Sequence, residues 1–306
     1  MKNNKNLTAY IALGAVCILW GTTYLALRVG VTQFPPFLFS ALRFLMAGPI
    51  LIGAMLLLGK KIPSRKIVTD QAVGGLMMCT LGVGIVGWGE VNVTSGVAAI
   101  ICSMMPIWTV VINLSVNKEE RPTPLIIFGL MLGLSGIVLI FSEHLVEFYK
   151  SKYTASIIAI FLANLSWAIG TIWMKKRNTT SDPFMNAGLQ MLFGGIFLVP
   201  LSLAFDHYAT IQWTGEILFS LFYLTLIGSV AAYACYFYAI GKLPITIVSL
   251  YAYINPVIAV ILGGVILNET LNGKIFSAIL ITLAGIYLVN RGYQIKNAWK
   301  TQLSKS

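Results

Sequence analysis

Charged side chains are scarce in this chain of 306 residues. Asp, Glu, Lys and Arg together make up 10% of it, whereas an ordinary soluble domain contains about 25%. Hydrophobic residues make up 58% and recur in long runs from end to end. This composition excludes a soluble globular domain. It predicts an all-α protein that crosses the lipid bilayer many times.

Acidic residues are the rarest of the charged groups. The chain has ten of them against 21 Lys and Arg, which gives a net charge of +11. A strongly basic chain can indicate nucleic-acid binding. Here the basic residues lie in short gaps between the apolar runs, as topology signals do. The charge therefore indicates membrane orientation, and we expect no nucleic-acid partner.

Cysteine and histidine are also rare, which limits metal and redox chemistry. The four cysteines lie inside apolar runs, where we expect small buried side chains rather than a disulfide framework or a zinc site. The two histidines lie outside the runs. Residues 53–61 lack the spacing and the Ser or Thr of a phosphate-binding loop. No cluster of His, Asp or Glu at helix ends indicates an enzyme, so we expect no metal, no cofactor and no catalysis.

Ten apolar runs are long enough to cross a bilayer, which needs roughly 20 residues of helix. The first run extends from Leu7 to Leu27, longer than the apolar part of a secretory signal, so we interpret it as a membrane helix. The ten predicted spans are residues 8–28, 35–58, 71–90, 94–114, 123–142, 154–174, 184–205, 216–239, 244–267 and 274–291.

Lys and Arg are distributed unevenly between the two faces of these helices. With the N-terminus inside, 16 of the 21 basic residues lie in cytoplasmic segments and four in outer segments. Arg43 lies within the membrane. Because cytoplasmic loops carry the excess of Lys and Arg, both termini are predicted to be cytoplasmic, in a multi-pass protein of the cytoplasmic membrane.

The two halves of the chain repeat each other. A shift of 147 residues aligns the first two helices with the sixth and seventh without a gap, and shifts of 149 and 150 align later segments. Matched pairs include Trp20/Trp167, Arg28/Lys175, Pro36/Pro183, Gly48/Gly195, Pro106/Pro256, Glu119/Glu269 and Gly136/Gly285. We therefore predict two domains, residues 1–146 and 147–306, with five helices each. An odd number inverts the second repeat, as in many secondary transporters.

Several short motifs occur in the order and spacing of a known family. They are Ile18–Tyr24 (ILWGTTY), Ala41–Phe44 (ALRF), Thr94–Ala99 (TSGVAA) running to Met105-Pro106, Tyr251–Pro256 (YAYINP) and Asn268–Thr270 (NET). Over essentially its whole length the chain resembles the EamA-type transporters of the drug/metabolite transporter superfamily. The resemblance implies two five-helix repeats around a central cavity. It also implies carriage of small metabolites, often amino acids or drugs and usually outward.

Arg43 and Glu90 are charged residues inside predicted membrane helices. Each lies in the outer half of its helix, and a charge in hydrocarbon is costly unless it is paired, protonated or in contact with water. We predict that the two form an ion pair that lines the outer pathway and binds a polar or zwitterionic substrate. A coupling proton on Glu90, a purely structural ion pair, and a headgroup or capping position for Glu90 are the alternatives.

Aromatic residues form a second set of site candidates. Trp20 and Trp167 are repeat mates, and a shift of 145 places Trp88 on Tyr233. Mates related by a pseudo-two-fold axis approach the same central space, and aromatic walls suit amphipathic metabolites or cations. We predict a substrate site shaped by these four residues together with Tyr253 and Asn255. Core filling or an interfacial aromatic belt is the alternative.

Pro106 and Pro256 are mates inside the predicted fourth and ninth helices. Proline removes one backbone hydrogen bond and kinks a helix. The carbonyls of Cys102 and Ala252, four residues earlier, then need a neighbour, water or ligand as partner. Paired kinks favour a gating role for these prolines, with static kinks as the alternative.

Small residues recur in the fifth helix at Gly129, Gly133 and Gly136, and in the tenth at Ala284 and Gly285. This spacing lets two membrane helices approach closely. We therefore expect structural packing between the fifth and tenth helices rather than a site.

Taken together, these features predict a secondary transporter that works by alternating access. The expected activity is export of small amphipathic metabolites such as amino acids, by a monomer with a small-molecule substrate. An importer, or a drug or cation efflux carrier of the same fold, is the alternative, since sequence does not fix direction. A membrane scaffold is disfavoured because the longest loop, residues 59–70, is short.

Overall fold

Ten membrane helices build the protein, as seen in a computed structural model that describes residues 2–116, 122–177, 181–208, 211–266 and 272–303. Nine of the helices within these ranges are long and apolar enough to cross a membrane, and α5 is a shorter apolar helix. No strand occurs in the described ranges. The helices are α1 (Lys2–Gln33), α2 (Pro36–Leu57), α3 (Arg65–Glu90), α4 (Ser95–Cys102 and Met105–Val116), α5 (Pro124–Ile140), α6 (Thr154–Arg177), α7 (Pro183–Phe205), α8 (Gly215–Lys242), α9 (Ile245–Ser249 and Tyr251–Ile266) and α10 (Gly273–Leu303).

The predicted ten-helix architecture is confirmed, in two halves of five helices each. Some sequence predictions concern residues outside the described ranges. These are the Glu119/Glu269 match, the Asn268–Thr270 motif and the basic residues Lys118 and Arg121. Two short 3₁₀ segments, Ser142–Tyr149 and Ser151–Tyr153, join the halves between α5 and α6.

Helices α3 and α8 share an irregularity that the apolar pattern does not reveal. Each contains a π-helical section in its middle, Gly75–Gly84 in α3 and Leu224–Ala231 in α8. Since α3 and α8 are the third helices of the two halves, the same distortion occurs once in each half. Such sections are rare and often lie at functional sites.

Helices α4 and α9 are interrupted rather than merely kinked. In α4 the interruption falls at residues 103–104, just before Pro106, which is the second residue of the following section, so the helix is broken there rather than kinked within a continuous helix. Proline is tolerated there because the first N–H groups of a helix have no intrahelical partner. In α9 the interruption falls at Leu250, and Pro256 lies inside the section that follows.

The carbonyls that the prolines release are satisfied by neighbours, as predicted. Asn164 of α6 donates through Nδ2 to the Cys102 oxygen at 3.0 Å. Ser103 of α4 donates through Oγ to the Ala252 oxygen, also at 3.0 Å. Both bonds join helices of opposite repeats, so the two interrupted helices are fixed at the interface between the halves.

Glycines bring α5 and α10 into close contact, which confirms the packing prediction. A Cβ atom added at Gly285 would lie 2.6 Å from the Gly129 oxygen, and one at Gly129 would lie 2.8 Å from the Gly285 oxygen. In α2 and α7, a Cβ at Gly48 would lie 2.9 Å from the Gly188 oxygen. Backbone contacts of this kind hold membrane helices together without large side chains.

We expect Gly285→Ala to lower the thermal stability of the purified protein in detergent. The added methyl group meets α5 backbone atoms that cannot move away, and overpacking of this kind costs about 1–3 kcal/mol. Gly53→Ala is the matched control, because nothing lies within 4 Å of a Cβ at that position in α2. Alanine also favours the helix more than glycine does. Equal melting temperatures for the two variants would contradict the close packing of α5 and α10.

Candidate functional site

A cavity of about 150 Å³ lies at the interface between the two repeats. Helices α1, α2, α3, α4, α6, α8 and α9 contribute to its lining. The lining residues lie near the middle of their helices or toward the face that carries the α1–α2 turn. An apolar cavity of this volume accommodates benzene. The space therefore suits a small metabolite better than a large drug.

Aromatic rings form one wall of this cavity. The ring centroids of Trp20 and Trp167 are 5.7 Å apart, so these mates meet at the centre, as predicted. Trp20 also contacts Tyr233 at 5.6 Å and Tyr251 at 4.9 Å. Edge-to-face contacts of this kind are favourable beyond simple burial. Tyr236 closes the cluster, with its hydroxyl 2.8 Å from Thr171 Oγ1.

The two tryptophans differ in their polar contacts. The Trp20 indole N–H donates to the Gly228 oxygen at 2.9 Å. The Trp167 indole N–H is buried and donates to none of the residues that the structure describes. The mates thus differ, because the Trp20 indole N–H has an acceptor at hydrogen-bond distance among the described residues and the Trp167 indole N–H does not.

Arg43 is buried, with 5% of its surface exposed, and faces the π-helical section of α8. Its Nε donates to Ser229 Oγ at 2.7 Å, and one terminal nitrogen donates to the Gly228 oxygen at 3.1 Å. The Gly228 carbonyl therefore accepts from both Trp20 and Arg43. Two of the five N–H donors of the guanidinium account for these bonds.

Glu90 is 2% exposed and lines the same cavity as Arg43. Neither of its carboxylate oxygens accepts a hydrogen bond from any residue in the described ranges. Arg43 donates to Ser229 and Gly228 instead, so the predicted Arg43–Glu90 ion pair is wrong. The capping alternative also fails, because a capping carboxylate would accept backbone bonds. The cation that interacts electrostatically with Glu90 is Arg28 of α1, which also donates to Ser95 Oγ at 3.2 Å.

Two predicted site residues lie away from the cavity. Tyr253 is fully buried, and its hydroxyl donates to the Leu130 oxygen of α5 at 2.8 Å. Trp88 packs against the core and is not among the residues that line the cavity. Helix geometry gives the reason: Val86 and Glu90 lie one turn apart on the cavity face, and Trp88, midway between them, points elsewhere. This geometry therefore gives no support to substrate contact by Trp88 or Tyr253.

Asn255 lies in the cavity lining and is buried. In the amide orientation that satisfies its neighbours, Nδ2 donates to the Tyr251 oxygen at 2.9 Å and to the Cys17 oxygen at 3.0 Å. The contact with Cys17 ties α9 to α1, whereas the contact with Tyr251 lies within α9. Its predicted role as a substrate-orienting amide stays a prediction, as do the gating roles of Pro106 and Pro256.

Asn164 is the main cavity residue that the sequence did not single out. Its Nδ2 holds the Cys102 carbonyl, while its Oδ1 is buried and accepts nothing from the described part of the chain. Asn164 lies three residues before Trp167, and such residues share a helix face. An isolated amide one turn from a predicted cavity tryptophan was the available signal.

The donor groups in the cavity suit an organic substrate. Across the described ranges, no group of three or more His, Cys, Asp or Glu side chains is placed to hold a metal ion. What the cavity offers is an aromatic wall, one carboxylate, one guanidinium and an amide oxygen. This set can orient a small polar or dipolar molecule with an apolar body.

Ten membrane helices in two halves, with a polar and aromatic cavity between them, define a membrane transporter. The chain belongs to the EamA-like transporter family, whose model matches residues 7–142 and again residues 154–291. It is 31% identical over 296 residues to the "Uncharacterized inner membrane transporter YedA" of Escherichia coli (strain K12), with 94% of each chain covered. It is 25% identical to the "Uncharacterized transporter YoaV" of Bacillus subtilis (strain 168), covering 90% of this chain and 94% of the relative.

A solved crystal structure shares the fold. It matches with a TM-score of 0.76 at 18% sequence identity, covering 92% of this chain and 95% of the other. The predicted family is thus confirmed, and the protein is a multi-pass membrane transporter.

Proposed function

We propose that this transporter is a secondary carrier that exports small amphipathic metabolites such as amino acids by alternating access. The observation that carries the proposal is a cavity between the repeats in which Glu90 and Arg43 both line an aromatic pocket without bonding each other. A zwitterion presents opposite charges on one small molecule. Its apolar part packs against the rings of Trp20 and Trp167. Its charged groups match the guanidinium and the Glu90 carboxylate, which accepts no hydrogen bond from the described residues.

The two family-model matches support the two repeats as domains, which we place at residues 1–146 and 147–306. Their interface holds the cavity, as is usual for carriers built from inverted repeats. One repeat can then rock against the other around the site. A single chain encloses the whole cavity, so we propose a monomer as the working unit.

Contacts at the face opposite the α1–α2 turn support a conformation that is closed at that end. Lys60 Nζ lies 3.2 Å from Asp182, and Arg177 Nε lies 3.6 Å from Asp70, each pair joining the two repeats. Exposed ion pairs are individually weak, worth about 0–1 kcal/mol. They are therefore suited to contacts that form and break in each transport cycle.

We propose that this closed face is cytoplasmic, because the α2–α3 loop is basic. Ser64 and Lys66 are exposed in it. In a background without the four native cysteines, Ser64→Cys and Lys66→Cys are expected to react with an impermeant maleimide only in inside-out vesicles. Trp213→Cys, exposed at the other face, is the control that reacts in intact cells. Labelling of Ser64→Cys in intact cells would overturn the proposed orientation.

Efflux of cationic drugs is the second candidate function. The Glu90 carboxylate, which accepts no hydrogen bond from the described residues and lies in a cavity with an aromatic wall, favours it, because aromatic rings attract organic cations. The small volume of the cavity favours a metabolite instead.

Counterflow in reconstituted vesicles tests the proposal. Purified protein is screened with amino acids, nucleosides and cationic drugs, against vesicles without protein. Exchange of amino acids is expected. Exchange of cationic drugs alone would favour the second function, and no exchange of any of these compounds would contradict both.

A further inference from the structure

Three buried oxygen atoms in the cavity accept no hydrogen bond from the described residues. They are both carboxylate oxygens of Glu90 in α3 and the Oδ1 atom of Asn164 in α6. Both side chains are more than nine-tenths buried, and both line the cavity. Buried acceptors are normally satisfied. Three of them on two helices of opposite repeats therefore point to a ligand that supplies donors or positive charge.

The interruption of α4 adds a further electronegative group at the same place. The first section of α4, Ser95–Cys102, ends with a carbonyl that accepts from Asn164 Nδ2, and Cys102 itself lines the cavity. The C-terminal end of a helix carries partial negative charge. In discontinuous membrane helices such ends, with unwound carbonyls, help to bind small cations.

The cations already present leave these oxygens free. Arg43 donates to Ser229 and Gly228 of α8. Arg28 interacts electrostatically with Glu90 and donates to Ser95. Neither arginine donates a hydrogen bond to the Glu90 carboxylate within the described structure. Arg28 thus offsets part of the charge of Glu90 and leaves its coordination positions open.

The arrangement occurs once in the chain, although its scaffold occurs twice. The shift of 147 residues that aligns the first and sixth helices places Cys17 opposite Asn164, and the shift of 145 places Cys235 opposite Glu90. The mate positions thus carry thiols, Cys17 in the first repeat and Cys235 in the second, where the site carries oxygens. A single site matches one ligand in each transport cycle.

We propose that Glu90, Asn164 and the carboxyl end of the first section of α4 form a binding site for a monovalent cation. The cation is either the ammonium group of the substrate, whose three N–H donors match the three free acceptors, or a free sodium ion that couples to transport. The first source rests on the proposed function, since it makes the amine of an exported metabolite the bound group. The second source does not depend on which metabolite is carried.

Thermal stability of the purified full-length protein, measured at neutral pH, tests the site with two probes. Benzylamine presents an ammonium on a ring that fits the cavity, and benzyl alcohol is its uncharged counterpart. Sodium chloride is compared with the chloride of N-methylglucamine. A bound cation raises the melting temperature. We expect one of the two cations to do so in the unmodified protein.

Glu90→Gln is expected to weaken that stabilisation about tenfold or more in apparent affinity, as the loss of a charge-assisted hydrogen bond does. Glu216→Gln, which makes the same replacement at an exposed position at the start of α8, is the matched control and keeps the full response. Asn164→Ala is a second variant that leaves Glu90 in place, in case Glu90→Gln fails to fold.

Stabilisation by benzylamine but not by benzyl alcohol or sodium assigns the site to the substrate amine. Stabilisation by sodium over N-methylglucamine assigns it to a coupling ion. The proposal would be overturned if a cation raised the melting temperatures of the unmodified protein, Glu90→Gln and Asn164→Ala equally. No response of the unmodified protein to either cation would also overturn it. A sodium response lost in Glu90→Gln, together with no counterflow of any metabolite, would keep the cation site and refute the proposed export.

Discussion

Trp20→Ala is expected to lower the free energy of unfolding by about 3–5 kcal/mol, the usual cost of removing a large buried ring. Trp20 contacts Trp167, Tyr233, Tyr236 and Tyr251 and holds the Gly228 carbonyl of α8. Its loss opens the wall of the cavity, so substrate exchange is expected to disappear as well. Thermal unfolding in detergent and counterflow measure the two effects. Trp213→Ala, at an exposed position, is the control.

Phenylalanine at the same positions separates the ring from the indole N–H. Trp20→Phe removes a bond of 2.9 Å to Gly228 and is expected to cost about 1 kcal/mol. Trp167→Phe removes an N–H that has no partner in the described residues, so stability is expected to stay the same or rise. A lowered affinity in Trp167→Phe would show that this N–H faces the substrate. Normal exchange in both Trp20→Ala and Trp167→Ala would contradict the placement of the substrate site.

Arg43→Gln is expected to reduce transport about tenfold to a hundredfold while leaving the protein as stable as before or more stable. Among the described residues the buried guanidinium bonds only a hydroxyl and a carbonyl, and no carboxylate there lies in contact with it, so removing it relieves a desolvation cost. A bond from a charged group to substrate is worth about 1.5–3 kcal/mol, which sets the expected loss of transport. Arg291→Gln, exposed in α10, is the control.

The double variant Arg43→Gln with Glu90→Gln sharpens this test. Since the two side chains do not bond each other, their effects on melting temperature are expected to add, as for groups with no shared partner. Coupling is expected only in substrate binding, where one zwitterion would contact both. Strong coupling between the effects of the two substitutions on melting temperature would instead indicate a direct Arg43–Glu90 ion pair.

Most of the fold could be predicted from the sequence. The length of each apolar run is set by the thickness of the bilayer, the basic loops by membrane orientation, and the 147-residue repeat by the duplication of one five-helix unit. The mates Trp20 and Trp167 followed from that repeat, and so did the need for partners at the Cys102 and Ala252 carbonyls. These predictions depend on position along a helix, which the count of residues gives directly.

The site was less predictable because contact also depends on direction around the helix axis. Arg43 and Glu90 were matched by depth alone, and depth did not reveal that Arg43 faces Ser229 of α8. The prediction that Trp88 shapes the site lacks support for the same reason, since Trp88 lies on a face of α3 that points away from the cavity. The π-helical sections further change the direction in which the side chains beyond them point. No side-chain pattern in Gly75–Gly84 predicts such a section.

These π-helical sections give α3 and α8 an adjustable register. An α-helix turns about 100° per residue, and in a π-helix each bond spans one residue more. When one amide exchanges its acceptor between the two patterns, the chain beyond it rotates about the helix axis while the helix stays continuous. Glu90 lies beyond the section in α3 and Tyr233 beyond the section in α8, whereas Asp70 and Gln71 lie before the first. Each helix can thus act as a swivel, turning a cavity residue at one end while its other end stays packed.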